Sequence, residues 1–281
     1  MILSEPTDCW PQRETCRKHI PNRMLQIFSM KVSQISVNCD FAQLYGFMAV
    51  RDYLDPLRNY VFNRSRDDPL IVQQGSLIEM MGPKRGISFN SSVLLEFDMR
   101  IKKGEREEDD LQLIDGATEY SDRIIPLKLF TDRINGSSGA VDITSGLVCR
   151  AAEATIEVAI SEVCNSFSLS LSSFVSMNDS SEEILLYSGA IDKSCGLRRY
   201  VLAVMMNTWM HLKFKVDKKG YQNYLERCCC FKTQTHGHID EKINLQMASI
   251  FVKVTWSTLP VTYWSPQSNG LLGIPVSGQN T

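Results

Sequence analysis

From Leu25 the chain alternates: Gln26, Phe28, Met30 and Val32 fall on one face, and Leu25, Ile27, Ser29, Lys31 and Ser33 on the other. A period of two is the spacing of a β-strand. The signature recurs in LYGFMAVRDY (44–53), RNYVFNR (58–64), SVLLEFDMRIK (92–102), ATIEVAISEV (154–163) and FSLSLSSFV (167–175). It returns in EILLYSG (183–189), RRYVLAVMM (198–206), MHLKFKVD (210–217) and ASIFVKVTW (248–256). Each run is short, rich in Val, Ile, Phe and Tyr, and bounded by Asp, Asn, Gly, Ser or Pro. With no long helical stripe, the pattern predicts an all-β chain, a large antiparallel β-sandwich-like domain of about a dozen strands with short disordered termini.

The boundaries expected are a flexible tail over 1–23, the β domain over 24–257 and a second flexible tail over 258–281, which is rich in Ser, Gly, Pro and Asn. CRAAEATIEVAI (149–160) is the best competitor for a helix because of its alanines, but Thr155, Ile156, Val158 and Ile160 favour extension, so it is assigned to a strand. KKGEREEDD (102–110) lacks an apolar anchor and is expected to be a solvated hairpin loop or a short helical turn. Turns near DGATEYSD (115–122) and NGSSGA (135–140) are where two subdomains would divide, although composition does not shift there.

Length and charge narrow the function classes. At 281 residues the chain can bury a sizeable core without covalent staples, and a formal charge of −2 creates no global field for nucleic acid or an anionic membrane. Residues 1–23 lack an apolar leader core, and no stretch approaches the ~20 apolar residues of a membrane-spanning helix. The expectation is a soluble, intracellular, cytoplasmic protein with no transmembrane segment. In that setting its nine irregularly spaced cysteines are reduced thiols, and the sequons at Asn63, Asn90, Asn135 and Asn178 carry no glycan.

Three segments carry a resemblance: YGFMAVRDYLDPLRNYVFNRSRDDPLIV (45–72), SLIEMMGPKRGISFNSSVLLEFDMRIKKG (76–104) and CGLRRYVLAVMMNTWMHLKFKV (195–216). The runs Gly-Phe-x-Ala-Val-Arg-Asp and Gly-Pro-x-Arg-Gly are distinctive together. Over residues 24–257 the chain resembles the plant family catalogued as domain of unknown function 6598. A similar module forms the C-terminal part of a jasmonate-induced ribosome-inactivating protein of cereals, appended to an RNA N-glycosidase domain. The glycosidase pattern is Glu-Ala-Ala-Arg on a helix. The nearest stretch here is Glu153-Ala154-Thr155-Ile156, which lacks the arginine and lies in a strand-like run. The resemblance therefore implies the appended module rather than the catalytic domain.

Three residue groups could carry chemistry. In CCCFKTQTHGH (228–238), a five-residue loop would pair Cys230 with His236 and Cys228 with His238 on one face, a tetrahedral set suited to zinc. The plainer reading, a hairpin of reduced cysteines, is preferred because the spacing matches no standard zinc module. Asp52, Asp55, Asp67 and Asp68 frame the first hairpin and could gather calcium at one end of a sandwich, or serve simply as turn formers beside Pro56 and Pro69. Arg51, Arg58, Arg64, Arg66, Lys84 and Arg85, interleaved with Tyr53, Tyr60 and Phe62, form a candidate basic patch for single-stranded RNA. Neighbouring acids nearly cancel its charge. No Gly-x-Ser-x-Gly, phosphate loop or His-Glu-x-x-His occurs. Cys195 is read as a structural thiol, and His211 as a strand residue with a satisfied partner.

These features favour a non-enzymatic interaction or scaffold module with an unknown protein partner, in plant stress or defence, and no catalytic residue or cofactor is expected. The alternatives are an accessory or catalytic role in ribosome inactivation, with RNA or the ribosome as partner, and a calcium-dependent lipid binder.

Overall fold

The computed structural model describes residues 19–36, 41–121, 124–177, 180–217 and 225–259. Most of both expected tails lies outside the described residues. Thr258 and Leu259, the first residues assigned to the C-terminal tail, are buried.

The chain is built of strands. In order they are β1 (Asn22–Ile35), β2 (Ala42–Asp52), β3 (Asp55–Arg64), β4 (Leu70–Val72), β5 (Ile87–Ser88) and β6 (Val93–Ile101). Then come β7 (Leu111–Tyr120), β8 (Leu129–Gly136), β9 (Gly139–Ser161), β10 (Phe167–Met177), β11 (Ser180–Ile191) and β12 (Cys195–Gly196). The last are β13 (Tyr200–Met205), β14 (Trp209–Asp217), β15 (Leu225–Lys232), β16 (Gly237–Asn244) and β17 (Ser249–Ser257). Among the described residues the only helix is a 3-10 turn, Glu107–Asp109, so the all-β, antiparallel class expected from the alternation is the class observed. That turn falls in the charged segment between β6 and β7. It is fastened by Asp110, which accepts from Tyr45 Oη and Arg66 Nε at 2.7 Å each and from the Lys103 N–H at 2.7 Å. The Arg66 guanidinium holds the Asp110 carboxyl far below the usual range, while burial and the same carboxylate push Tyr45 up to about 12.

Three sheets stack into two sandwiches that share one member. The eight-stranded sheet runs β16-β17-β9-β1-β5, with β8, β12 and β13 also paired to β9. A five-stranded sheet, β3-β2-β6-β7 with β4 on β2, encloses one core with the first half of β9: Met30, Leu44, Met48, Phe62, Phe97, Val141 and Ile143 are buried there. A four-stranded sheet, β11-β10-β14-β15, encloses the other with the second half: Ile156, Val158, Leu171, Leu212, Phe214 and Trp256. A division at a single chain position is therefore not what the fold uses, since β1 and β9 feed both cores.

The alternation of β9 explains how one strand can do this. Its buried apolar series runs Val141, Ile143, Leu147 in the first core and Val148, Ala151, Ala152, Ala154, Ile156, Val158, Ile160 in the second, changing from odd to mostly even. The change falls between the neighbours Leu147 and Val148, because the two cores lie on opposite faces of the strand; a register shift opposite Asn22 and Met24, with Arg150 at φ 48, follows just beyond it. Because side chains alternate with period two, odd and even positions point to opposite faces, so one strand serves a core on each. The alanines that argued for a helix instead leave room across the ladder, where Ala154 lies opposite fully buried Trp256.

A bulge corrects the face assignment in β1. Gln26, Phe28, Met30 and Val32 do not share a core: Leu25 and Ile27 join Met30 and Val32 in the first, whereas Met24 and Phe28 enter the second. A register shift between Ile27 and Ser29 accounts for the exchange. Gln26 is buried and accepts from the Ala203 N–H at 2.8 Å, joining β1 to β13.

Deleting Arg150 should turn the side chains of β9 beyond it to the opposite face and abolish cooperative unfolding in a denaturant titration. Arg150→Gly, which relieves a left-handed backbone costing about 1 kcal/mol for a side chain-bearing residue, should leave stability equal or slightly raised.

Candidate functional site

The two most distinctive runs of the sequence meet inside the molecule. Asp52, at the end of β2, receives Arg85 Nη1 at 2.6 Å and Nη2 at 2.8 Å, a two-pronged ion pair whose side chains are 1% and 4% exposed. Asp52 also accepts the N–H groups of Ser88 at 2.7 Å and Leu54 at 3.1 Å. Asn59 holds the loop that carries Arg85, donating to the Arg85 carbonyl at 2.9 Å and accepting from the Lys84 N–H at 2.9 Å. Glycine is required at two points of the same runs: a Cβ on Gly46, which also has φ +103, would lie 2.1 Å from the Asp98 carbonyl oxygen, and one on Gly82 would lie 1.9 Å from that of Tyr60.

Next along the loop, the Gly86 N–H donates to Glu153, a 5% exposed residue in the middle of β9 that also accepts from Ser257 Oγ at 3.0 Å. Burial raises the Glu153 carboxyl above its ordinary value, against the opposing pull of Gly86, Ser257 and Arg85. Glu153 thus faces inward from a strand, closed off from solvent. A chain of polar contacts, Asp52 to Arg85 to Gly86 to Glu153 to Ser257, runs from the five-stranded sheet to the eight-stranded one.

The candidate zinc residues do not come together as expected. β15 pairs with β14, placing Cys228 opposite Lys213 and Cys230 opposite His211, while β16 pairs with β17 and places His238 opposite Thr255. The hairpin fails because the chain changes sheets at Thr233, whose N–H and Oγ1 bond the Thr208 carbonyl at 3.1 and 2.8 Å. His236 meets His19, ring centroids 4.8 Å apart. Among the described residues no group of three His, Cys, Asp or Glu side chains is arranged to hold a metal.

The four aspartates are likewise dispersed. Asp52, which ends β2, and Asp55, which begins β3, are buried, Asp55 Oδ1 accepting from the Leu57 N–H at 2.9 Å, and Asp67 and Asp68 are exposed beyond the far end of β3. The basic residues are paired off: Arg51 and Arg58 with Glu96, Arg64 with Asp68, Arg66 with Asp110, and Arg85 with Asp52. Lys84 uses its backbone, as above. Of the interleaved aromatics, Phe62 is fully buried and Tyr53 is exposed.

What the surface offers instead is a cleft of about 450 Å³ where β11, the edge of the four-stranded sheet, faces segment 77–80. That segment lies on β1, the Ile78 N–H donating to the Met30 carbonyl at 2.8 Å. Phe28, Met30 and Met80 line the cleft, together with Leu77 and Leu185, which are 51% and 40% exposed. Ser29, Ser170, Ser172 and Ser188 contribute hydroxyls, and both charged lining residues, Glu79 and Glu183, are acids. Arg198 bridges its two sides, with Nη1 on Glu79 at 2.9 Å and Nη2 on the Leu186 carbonyl at 3.1 Å. The sequence reading missed this site because its residues come from segments far apart in the chain.

Residues 24–254 match the profile of a family described as a domain of unknown function, DUF6598. The chain belongs to this family. Comparison of the DUF6598 chain with curated proteins finds no match. Among solved structures it is similar to human GIVD cytosolic phospholipase A2, at 10% identity and a TM-score of 0.25. The complex of that enzyme with methyl gamma-linolenyl fluorophosphonate gives 9% identity and a TM-score of 0.24. In both comparisons 85% of the DUF6598 chain is covered and it spans only 32% of the other chain. Likeness at this level carries no argument about activity. No helix among the described residues is long and apolar enough to cross a membrane.

Arg85→Met strips a buried carboxylate of its counter-ion and should lower unfolding free energy by about 3–5 kcal/mol, with the Asp52→Asn, Arg85→Met double variant recovering part of the loss in a denaturant titration. Glu153 yields a pH signature. Its raised value means that the native state holds the proton to higher pH than the unfolded chain, so its contribution is complete below about pH 4.3 and is lost as pH rises through the native value. Glu153→Gln stays neutral, so its stability relative to wild type should increase as pH is raised above about 4.3, as read by melting temperature.

Proposed function

We propose that this chain is a non-enzymatic interaction module whose partner supplies an extended basic segment to the cleft beside β11. The observation that carries the reading is the cleft itself: an apolar trough along a strand edge whose charged lining residues are both acids. A free strand edge offers backbone donors and acceptors to an added strand, and flanking pockets choose alternate side chains. The acids favour lysine or arginine at the polar positions of such a strand. The inward direction of Asp52, Arg85 and Glu153 supports the same reading, since the polar residues most distinctive in sequence serve to join sheets. The physiological setting assigned here, plant stress or defence, rests on the family resemblance.

A ten-residue peptide alternating lysine and leucine, titrated into the full chain by fluorescence anisotropy, should bind, and its glutamate–leucine counterpart should not. Glu183→Lys and Leu185→Asp, both at exposed positions, should each weaken binding about tenfold or more, near the 1.4 kcal/mol of one good contact. Equal affinity for the two peptides, or affinity untouched by both substitutions, overturns the docking site. Release of adenine from ribosomes by the purified chain, or calcium-dependent retention on anionic vesicles, overturns the wider reading in favour of ribosome inactivation or lipid binding.

A further inference from the structure

The outer face of the four-stranded sheet holds a second kind of chemistry, on rows whose far ends reach the cleft. By register, Cys230 on β15 lies opposite His211 on β14, and that row continues to Phe174 and Glu183; the next row holds Cys228, Lys213, Ser172 and Leu185. Cys230 Sγ is 3.1 Å from His211 Nδ1, and both residues are exposed. The pair is held by the ladder, because β14 is hydrogen-bonded on one side to β10 and on the other to β15. His211 therefore has the satisfied partner expected of it, and that partner is a thiol.

Other cysteines of the chain differ in what surrounds them. Cys229 points into the core at 2% exposure, and burial pushes its thiol up to about 12. Cys164 donates to the Glu162 carbonyl at 3.5 Å, and Cys228 faces Lys213 across the ladder. Among the described cysteines Cys230 alone is hydrogen-bonded to an imidazole. Lys232 and half-exposed Trp209 form the adjoining row, placing a cation and an apolar surface beside the sulfur.

We propose that Cys230 and His211 form a thiol–imidazole dyad at which the protein is modified by low-molecular-weight disulfides. With His211 in its Nε2–H tautomer, Nδ1 takes the thiol proton and leaves a thiolate, the nucleophile of disulfide exchange. The Cys230 thiolate attacks one sulfur of the small disulfide and forms a new S–S bond as the reagent's own S–S bond breaks. The departing thiolate takes the proton from His211. Cys230 is oxidised to a mixed disulfide and one equivalent of small thiol is produced. Lys232, in the row beside the sulfur, suits a disulfide that carries carboxylates, as peptidic disulfides do, whereas Lys213 is paired with Glu226 at 3.1 Å.

The test is treatment of the reduced full chain with oxidised glutathione at neutral pH, followed by peptide mass spectrometry over time. Cys230 should acquire the mixed disulfide about tenfold faster than Cys164 or Cys228, because the imidazole beside it accepts the thiol proton. His211→Asn should reduce the Cys230 rate to that of Cys164 while leaving Cys164 and the far-ultraviolet circular dichroism unchanged. Equal rates at Cys230 and Cys228 in the wild-type chain would refute the dyad without any substitution, and so would a Cys230 rate indifferent to His211→Asn in a folded variant. The outcome does not depend on what occupies the cleft.

Discussion

One strand serving two cores is the constraint around which this molecule is arranged. A β-strand offers only two faces, and β9 must place apolar side chains in the first sandwich over its first half and in the second over its remainder. Strict alternation itself supplies both, since odd positions up to Leu147 turn to one core and mostly even positions from Val148 turn to the other. Everything else falls on one side or the other of that point: β1 and β8 pair with the early part of β9, and β12, β13 and β17 with the later part. Gln26 and the polar chain from Asp52 to Ser257 then secure neighbouring segments to one another where the pairing partners change.

Buried polar groups are expensive unless satisfied, and those at this junction are largely satisfied by each other. Asp52 has a two-pronged guanidinium and backbone donors, and Glu153 has two donors. Such a network is directional, whereas apolar contact is not, so it fixes how the Gly82–Gly86 loop sits against β9 in a way that hydrophobic burial alone would not. The outward chemistry is correspondingly spare: an apolar trough with two acids, and a thiol beside an imidazole.

Strands were legible wherever one face is wet and the register is unbroken. β6, β10, β14 and β17 alternate cleanly, and their burial follows the alternation. Phase was lost at bulges, because an inserted residue in β1 is invisible when Ile, Phe and Met stand on both sides of it. β7 and β8 escaped notice for a different reason: LQLIDGATEY and LFTDRING have few apolar positions, β8 being half-exposed or exposed throughout, so their strand character comes from pairing with β6 and β9. The zinc hairpin failed on a turn whose Thr233 contacts reach back to Thr208. The pairing of Asp52 with Arg85 was hidden because each residue also makes sense alone, as a turn former and as part of a basic patch.

The pairing of β1 with β9 also sets a requirement on synthesis. Asn22 reaches its partner Ala151 only after the strands of the entire five-stranded sheet have been made, and β17, which flanks the later half of β9, is the last strand described. Sheets built from such distant pairings close late, since loop entropy is spent before their contacts form. While the chain emerges from the ribosome, β1 therefore waits as an apolar strand with an unpaired edge. A cell making this protein must shield that edge until β9 arrives.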